Sequence, residues 1–424
     1  MTTKDLNINI EALTRVEGEA AIEVDIKRGG DVQKLHVKVF EPPRFFEGFM
    51  QGRRYDEVSD FGSRICGICS VPHQTCSLYA VEKATGIEVT QQTKDLRELI
   101  NVGEMLMNLA VHMYMLAGPD FLGYESVLSF KEKDLPILLR AVRLKKVGNH
   151  ILKTIGGRET HPIAMVPGGF TAVPTKKQLD EIIKLLESVR EDTVESVKFT
   201  AGLKYPEFNR ESEHIAISND KEYSFTLGNL KSTKGINAPV EKHHELIDEI
   251  RENRKHDHVM HYKVKGRDSF LVGPLARVNL NFDKLSPLAK DLAKQYGLTY
   301  PQYNPFKSLQ ARALEMVHII DEGIGLCGKL NPKKEKLDVK PKGGHGIHIV
   351  EAPRGILYYE YKVNDAGIVE YADIITPTAH YVLNLENDIK YYIPQLEQMN
   401  PQDAKFHVEM LARAYDPCFS CSVH

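Results

Sequence analysis

Cysteine is scarce in this chain, with six among 424 residues. That is too few for the dense disulfide framework that stabilises secreted chains, so each thiol calls for another use. An excess of either charge is also missing: 55 Lys and Arg stand against 58 Asp and Glu, a net charge of -3. The sequence therefore lacks the basic footprint of a nucleic-acid-binding protein. No apolar run approaches the roughly 20 residues that cross a bilayer, and no transmembrane segment is expected. The opening Met1-Thr2-Thr3-Lys4-Asp5 has no charged-then-apolar targeting pattern, and the expected location is cytoplasmic. No internal repeat or low-complexity tract occurs. What remains, at 42% hydrophobic and 27% charged, is a globular chain with ample material for a core.

Patterning divides the chain into four parts. Residues 1–60 are strand-rich: apolar and polar residues alternate over 22–40 across a Gly29-Gly30-Asp31 turn, the signature of a hairpin. Residues 61–205 are helical. Apolar positions recur at helical spacing from Thr93 to Ala117, with a stop expected at Gly118-Pro119. A second helix is predicted over 135–155, ending at Gly156-Gly157, and a third from an N-cap at Thr175 to about Leu203. Residues 206–284 have short apolar runs among Gly, Asn, Ser and Lys, and read as strands and loops. Residues 285–424 return to helices at 285–296 and 305–327, strands at 346–350 and 355–363, a last helix over 387–411, and a tail.

Four of the six cysteines form two Cys-x-x-Cys units, Cys66/Cys69 near the start and Cys418/Cys421 at the end. Such a spacer turns both sulfurs toward one centre, and thiolates are soft ligands for transition metals. A zinc ribbon normally has a short gap between its pairs; closing a loop as long as this one costs chain entropy. A thioredoxin-like redox pair does not explain why there are two. A transition-metal centre clamped between the chain ends accounts for both pairs with one site. Cys76 and Cys327 fall in helical patterns and read as buried packing residues. His243, His244, His256, His258 and His261 could bind a metal, but their Lys- and Asp-rich context favours a solvated loop. The lysine run from Lys333 to Lys342 reads as surface.

The flanks sharpen the metal reading. Arg64-Ile65-Cys66-Gly67-Ile68-Cys69, followed by His73, and Asp416-Pro417-Cys418-Phe419-Ser420-Cys421, followed by His424, resemble the two signature motifs of the nickel-iron hydrogenase large subunit. The resemblance extends through Arg15-Val16-Glu17-Gly18, Arg44-Phe45-Phe46-Glu47, Gly157-Arg158-Glu159-Thr160-His161-Pro162, Glu351-Ala352-Pro353-Arg354-Gly355 and Thr376-Pro377-Thr378, while 207–278 shows nothing diagnostic. It implies an α+β fold, predominantly α, with a central bundle of long helices and small peripheral sheets in a single domain over 1–424. It also implies an enzyme that splits H2 reversibly and heterolytically. Nickel would be held by Cys66, Cys69, Cys418 and Cys421, with Cys69 and Cys421 bridging to an iron that carries CO and two CN ligands supplied by maturation proteins. Glu17 would take the proton from Cys418. Arg354 and Asp416 would form a polar lid, and Pro377, Thr378 and His73 would surround the cofactor. Glu47, the Ile374 carbonyl and His424 would hold magnesium or another divalent cation.

Too few cysteines remain to ligate an iron-sulfur cluster, which implies an iron-sulfur small subunit facing His161, with further electron-transfer subunits. The absent leader, the modest length and the Ser420-Cys421-Ser422-Val423-His424 ending look most like the cytoplasmic, multisubunit, bidirectional subgroup linked to NAD(P), a deazaflavin or a heterodisulfide reductase. The stop at His424 reads as a processed tail or one made without an extension. Asn108 stands where the family commonly has Asp. Two alternatives are a zinc-stabilised structural subunit, or else a non-catalytic relative of the complex I type, which lacks the cysteine pairs.

Overall fold

The structure, a computed structural model, describes residues 5–27, 31–250, 257–337 and 341–424. Strands Leu6–Ile10, Ala20–Lys27 and Asp31–Val39 form an antiparallel sheet in sequence order. Its alternating face, with Leu6, Ile8, Ile10, Ile22, Val24 and Ile26, is buried in the main core, as a period of two demands. Residues 28–30 of the expected turn lie outside the described residues, and so does His256.

The helical part is built on one close approach. Helices Gln91–Val111 and Leu135–Gly156 pack along each other. A Cβ on Gly103 would sit 2.7 Å from Leu152 Cδ1, and one on Gly148 would sit 2.5 Å from the Gly103 carbonyl oxygen, so glycine is what lets these backbones meet. The expected stop at Gly118-Pro119 does not occur. The helix passes through a π-helical stretch, His112–Ala117, and resumes as Gly118–Leu122. The wider π turn accommodates a proline that has no N–H to donate. The resulting 32-residue helix, Gln91–Leu122, is long and apolar enough to cross a membrane, but 83% of its apolar window is buried inside the protein. Its apolar surface is thus already used in the core.

Elsewhere the boundaries sharpen. Thr175 closes a capping box with Gln178, but the helix it starts ends at Ser188, and Arg190–Ala201 is separate. The last predicted helix is two: Pro377–Leu396 and Pro401–Tyr415, the second capped by Asn400. The strand Val369–Ile375, missed in the sequence, completes an antiparallel sheet with Gly344–Ala352 and Gly355–Val363. Helix Ser70–Thr85 lies on that sheet, where the Cys76 sulfur reaches the carbonyls of His348 (3.3 Å) and Leu357 (3.2 Å). Cys76 and Cys327 are buried in packing, as expected.

The 207–278 segment is a cradle for the second strand pair. Its sheet runs in the order 270–271, 213–218, 229–232, 237–238. Ile217 N–H donates to Glu351 (2.9 Å), Glu351 N–H donates to Phe225 O (2.7 Å), and a Cβ on Gly273 would lie 2.7 Å from Arg354 O. His243 and His261 are buried rather than solvated, because the segment packs against helix Pro377–Leu396: His243 Nε2 is 2.9 Å from His380 Nε2. His258 is exposed. The architecture is α+β, with long helices inside and small sheets around them.

Candidate metal centre

Cys66 lies in the loop between helices Val58–Ser63 and Ser70–Thr85, and Cys69 is the N-cap residue of the second. Helix Pro401–Tyr415 ends at Asp416 in the left-handed conformation (φ 59°), which turns Pro417 and Cys418 back toward the chain start. There Phe419 N–H donates to Glu17 O (2.8 Å), and Glu17 N–H donates to Pro417 O (3.3 Å). Gly18 permits this approach, since a Cβ would come within 2.4 Å of the Ser420 nitrogen. Arg44 ties both motifs together: its Nη2 donates to Ile65 O (2.8 Å) and Ser420 O (2.6 Å), and its N–H donates to Val423 O (3.1 Å).

The result is a cage of four buried sulfurs, all within 4.8 Å of one another. Cys66 to Cys418 and Cys69 to Cys421 are each 3.7 Å apart. Metal–sulfur bonds of about 2.3 Å at tetrahedral angles require sulfurs about 3.8 Å apart, so this spacing fits a thiolate-bound transition ion. The Cys418 and Cys421 sulfurs are also in contact, and ligation by all four uses them as thiolates. A hydrogen bond from Cys69 lowers the Cys66 pKa, and the same bond, with burial, raises that of Cys69. Metal binding displaces such protons.

Polar groups ring the sulfurs. Glu17 Oε2 is 2.9 Å from Cys418 Sγ, and burial raises its carboxyl pKa above the usual range. Arg354 donates from Nε to Asp416 O (2.9 Å) and from Nη2 to Asp416 Oδ1 (3.0 Å), while its buried Nη1 has no partner. Thr378 Oγ1 accepts from Cys418 N–H (3.0 Å) and lies 3.1 Å from Tyr381 Oη. Pro377 opens the helix on which Thr378 sits, and the neighbouring Thr376 hydroxyl is buried without a partner. His73 Nδ1 is 2.7 Å from Tyr359 Oη; its Nε2 is unpartnered, and burial lowers its pKa to about 3. Unpartnered buried donors around the cage are what diatomic acceptor ligands would satisfy.

A second cluster locks the tail. His424 Nε2 lies 2.9 Å from both Glu47 Oε1 and Ile374 O, and its Nδ1 is 2.6 Å from Cys421 O. Octahedral bonds of about 2.1 Å at right angles place ligand atoms about 3.0 Å apart, so these three atoms fit a small divalent cation as the resemblance implies. His161 has φ 52°, is part-exposed, and bonds through Nδ1 to Ser63 O (2.9 Å).

Several site residues escaped the sequence reading. Arg312 is fully buried with Nη2 3.5 Å from Asp416 Oδ2, so Asp416 is held between two arginines. Its Nε and Nη1 have no partner, and burial lowers its pKa to about 10. His112 Nε2 donates to Arg413 O (2.8 Å) and lies 4.0 Å from Asp416 Oδ1. Glu104, also missed, accepts at Oε1 from Asn108, the residue already singled out in the sequence (3.1 Å); Asn108 also donates to Ile68 O (2.8 Å), and burial raises the Glu104 carboxyl well above its ordinary value. The signal available for these was polarity inside apolar helical patterns. Among the described residues the non-glycine left-handed positions are Arg15, Phe45, His161 and Asp416, and each lies in one of the motif segments.

A buried four-sulfur cage joining early and late parts of the chain, with a carboxylate against one sulfur, defines a thiolate metal site. The family description "Nickel-dependent hydrogenase" matches residues 44–136 and 211–424, and this chain belongs to that family. It is 34% identical to the alpha chain of sulfhydrogenase 1 from Pyrococcus furiosus, covering 99% of this chain and 98% of that one. It is 30% identical to the corresponding component of the vhu F420-non-reducing hydrogenase from Methanocaldococcus jannaschii (90% and 97% covered). To the beta chain of the NAD-reducing hydrogenase HoxS from Cupriavidus necator it is 26% identical (98% and 94%). The fold matches a crystal structure of an NAD+-reducing [NiFe]-hydrogenase with a TM-score of 0.86, at 21% identity over the whole of both chains. The chain is a nickel-dependent hydrogenase large subunit with a four-cysteine site that could hold a metal.

Proposed function

We propose that Cys66, Cys69, Cys418 and Cys421 would hold a nickel-iron centre whose iron carries CO and two CN ligands. When bound, the metal pair supplies the Lewis acidity at which H2 is polarised and split heterolytically. The chain's own residues manage everything else. The Glu17 contact to Cys418 carries the reading: a carboxyl with a raised pKa, in reach of a ligand sulfur, is placed to accept a proton there and pass it outward. Arg354 Nη1 offers a charge-assisted donor to a cyanide or to substrate-derived charge. Asp416, gripped by Arg354 and Arg312, keeps that guanidinium aimed. Pro377 and the apolar walls exclude water, and the unpartnered His73 Nε2 and Thr376 hydroxyl are further donors.

Glu47, Ile374 O and His424 hold magnesium or a similar cation that fastens the tail. Electrons leave toward an iron-sulfur small subunit of a multisubunit complex, entering past the part-exposed His161. Relatives are named as components of NAD-reducing and F420-non-reducing hydrogenases, which supports a multisubunit complex, and we assign this chain a cytoplasmic location. The whole of 1–424 acts as one unit, consistent with a main core cluster that includes residues from Leu6 to Val423.

Infrared spectroscopy and metal analysis of the purified complex test the reading. Nickel and iron together, with bands of metal-bound CO and CN, are expected. Stoichiometric zinc alone, without those bands, sinks it.

A further inference from the structure

Away from the sulfur cage, a second group of ligand-type side chains converges on the outer face of the sheet 344–352, 355–363 and 369–375. Glu360 and Asp373 are direct cross-strand partners. Two carboxylates facing each other across strands repel and weaken the pair, a charge that either a proton on a neighbouring imidazole or a metal ion between them offsets. His244, from the short helix His243–Leu246, supplies an imidazole over the gap. Its Nε2 is 3.1 Å from Asp373 Oδ2 and 3.5 Å from Glu360 Oε2. The ligand atoms of His244, Glu360 and Asp373 all lie within 4.8 Å of one another.

We propose that His244, Glu360 and Asp373 form a surface site for a divalent transition ion of the zinc class, completed by water. Metal bonds of about 2.0–2.1 Å at tetrahedral angles place ligand atoms about 3.3 Å apart, which both His244 distances bracket. A nitrogen ligand with two oxygens suits Zn2+, Co2+ or Ni2+ better than the hard, all-oxygen preference of magnesium or calcium. The ligands are braced from behind. His345 Nε2 is 2.6 Å from Glu360 Oε1, and Tyr358 Oη donates to Glu360 Oε2 (2.6 Å), the kind of supporting contact that orients a ligating carboxylate. The Glu360 side chain is 10% exposed while that of His244 is 48% exposed, so the site has a fixed floor and an open mouth. It shares no ligand with the sulfur cage or the His424 cluster, and it does not depend on the nickel-iron assignment.

The test uses the purified hydrogenase complex, washed with a chelator at a strength that leaves nickel and iron content and hydrogen uptake unchanged. Cobalt(II) titration followed by its visible absorption, and zinc content after gel filtration, count the ions taken up. One additional equivalent, absent in His244→Ala and in Asp373→Asn, is expected, and uptake activity should be the same in all three. His345→Ala should weaken binding about 10- to 100-fold, as loss of a supporting contact does elsewhere. Equal cobalt uptake by the parent protein and His244→Ala, or no extra equivalent in the parent protein, overturns the proposal. Far-ultraviolet circular dichroism on each variant separates a lost site from a lost fold.

Discussion

The sulfur cage and the His244 cluster are two metal-capable sites in one chain, and they differ in almost every physical respect. The first is buried, soft-ligand and drawn from sequence ends that only the fold brings together. The second is half-exposed, made of nitrogen and oxygen, and drawn largely from neighbouring strands. Burial is what separates their consequences. Four thiolates that leave water together must be neutralised by a metal and by surrounding donors, so assembly of the cage and completion of the fold are coupled. A site open to solvent loses little when empty, because water and a proton on His244 compensate its carboxylates. A metal can therefore be structural and catalytic at one site and incidental to the chemistry at another.

Substitutions at the two sites should divide along that line. The largest effect is expected for Cys421→Ala: nickel content and hydrogen uptake fall to background, and uptake at the parent level refutes the cage as the active centre. Glu17→Gln keeps nickel but loses about 10²–10⁴ of turnover, the scale of a missing acid–base group; unchanged turnover with unchanged proton exchange removes Glu17 from the proton path. His424→Ala leaves the Glu47 carboxylate without its imidazole partner and lowers stability by about 1.5–3 kcal/mol, read as a shift in the denaturant midpoint. Arg312→Gln frees one side of Asp416 and should shift the cyanide infrared bands with modest loss of turnover; bands at the parent frequencies mean that Arg312 does not act through Arg354. The smallest effect is His244→Ala, where hydrogen uptake is unchanged. A large loss there would break the distinction between the two sites.

The two sites also differ in how they appear in the sequence. The cage was legible because its ligands come in fixed short spacings with unusual flanks. Glu17 and Arg354, ordinary on composition alone, became readable through the motifs around them. The His244 site was hidden because strand pairing, not spacing, brings Glu360 and Asp373 together, and the strand holding Asp373 was itself missed between Val363 and Pro377. Arg312 was hidden for another reason: the one arginine of helix 308–329 carries no mark of its partner 104 positions away at Asp416. Helical regions read correctly from periodicity, whereas ends and internal breaks, at Val189 and at 397–400, did not. Gly118-Pro119 signals a stop that a π turn overrides, and the break between Leu396 and Pro401 was smoothed over. The 207–278 segment contributes mainly backbone contacts, such as Ile217 N–H to Glu351 and Gly273 beneath Arg354, and the glycine that the second contact requires carries no mark of its partner in the sequence.

The left-handed corners at Arg15, Phe45, His161 and Asp416 bear on any effort to make this enzyme more heat-resistant. Each holds a side-chain-bearing residue where glycine would be more comfortable, at a cost of about 1–2 kcal/mol, and an automated search for strained backbone would select all four. Three of them cannot be relaxed that way without loss. Arg15 anchors on Leu116 O and Asp120, His161 on Ser63 O, and Asp416 on Arg354 and Arg312. Phe45, 66% exposed, is the corner where glycine would remove the least from the interior. Durability would have to be sought in the peripheral helices, at positions such as the surface of 176–188, because around the cage the uncomfortable turns are what aim the working side chains.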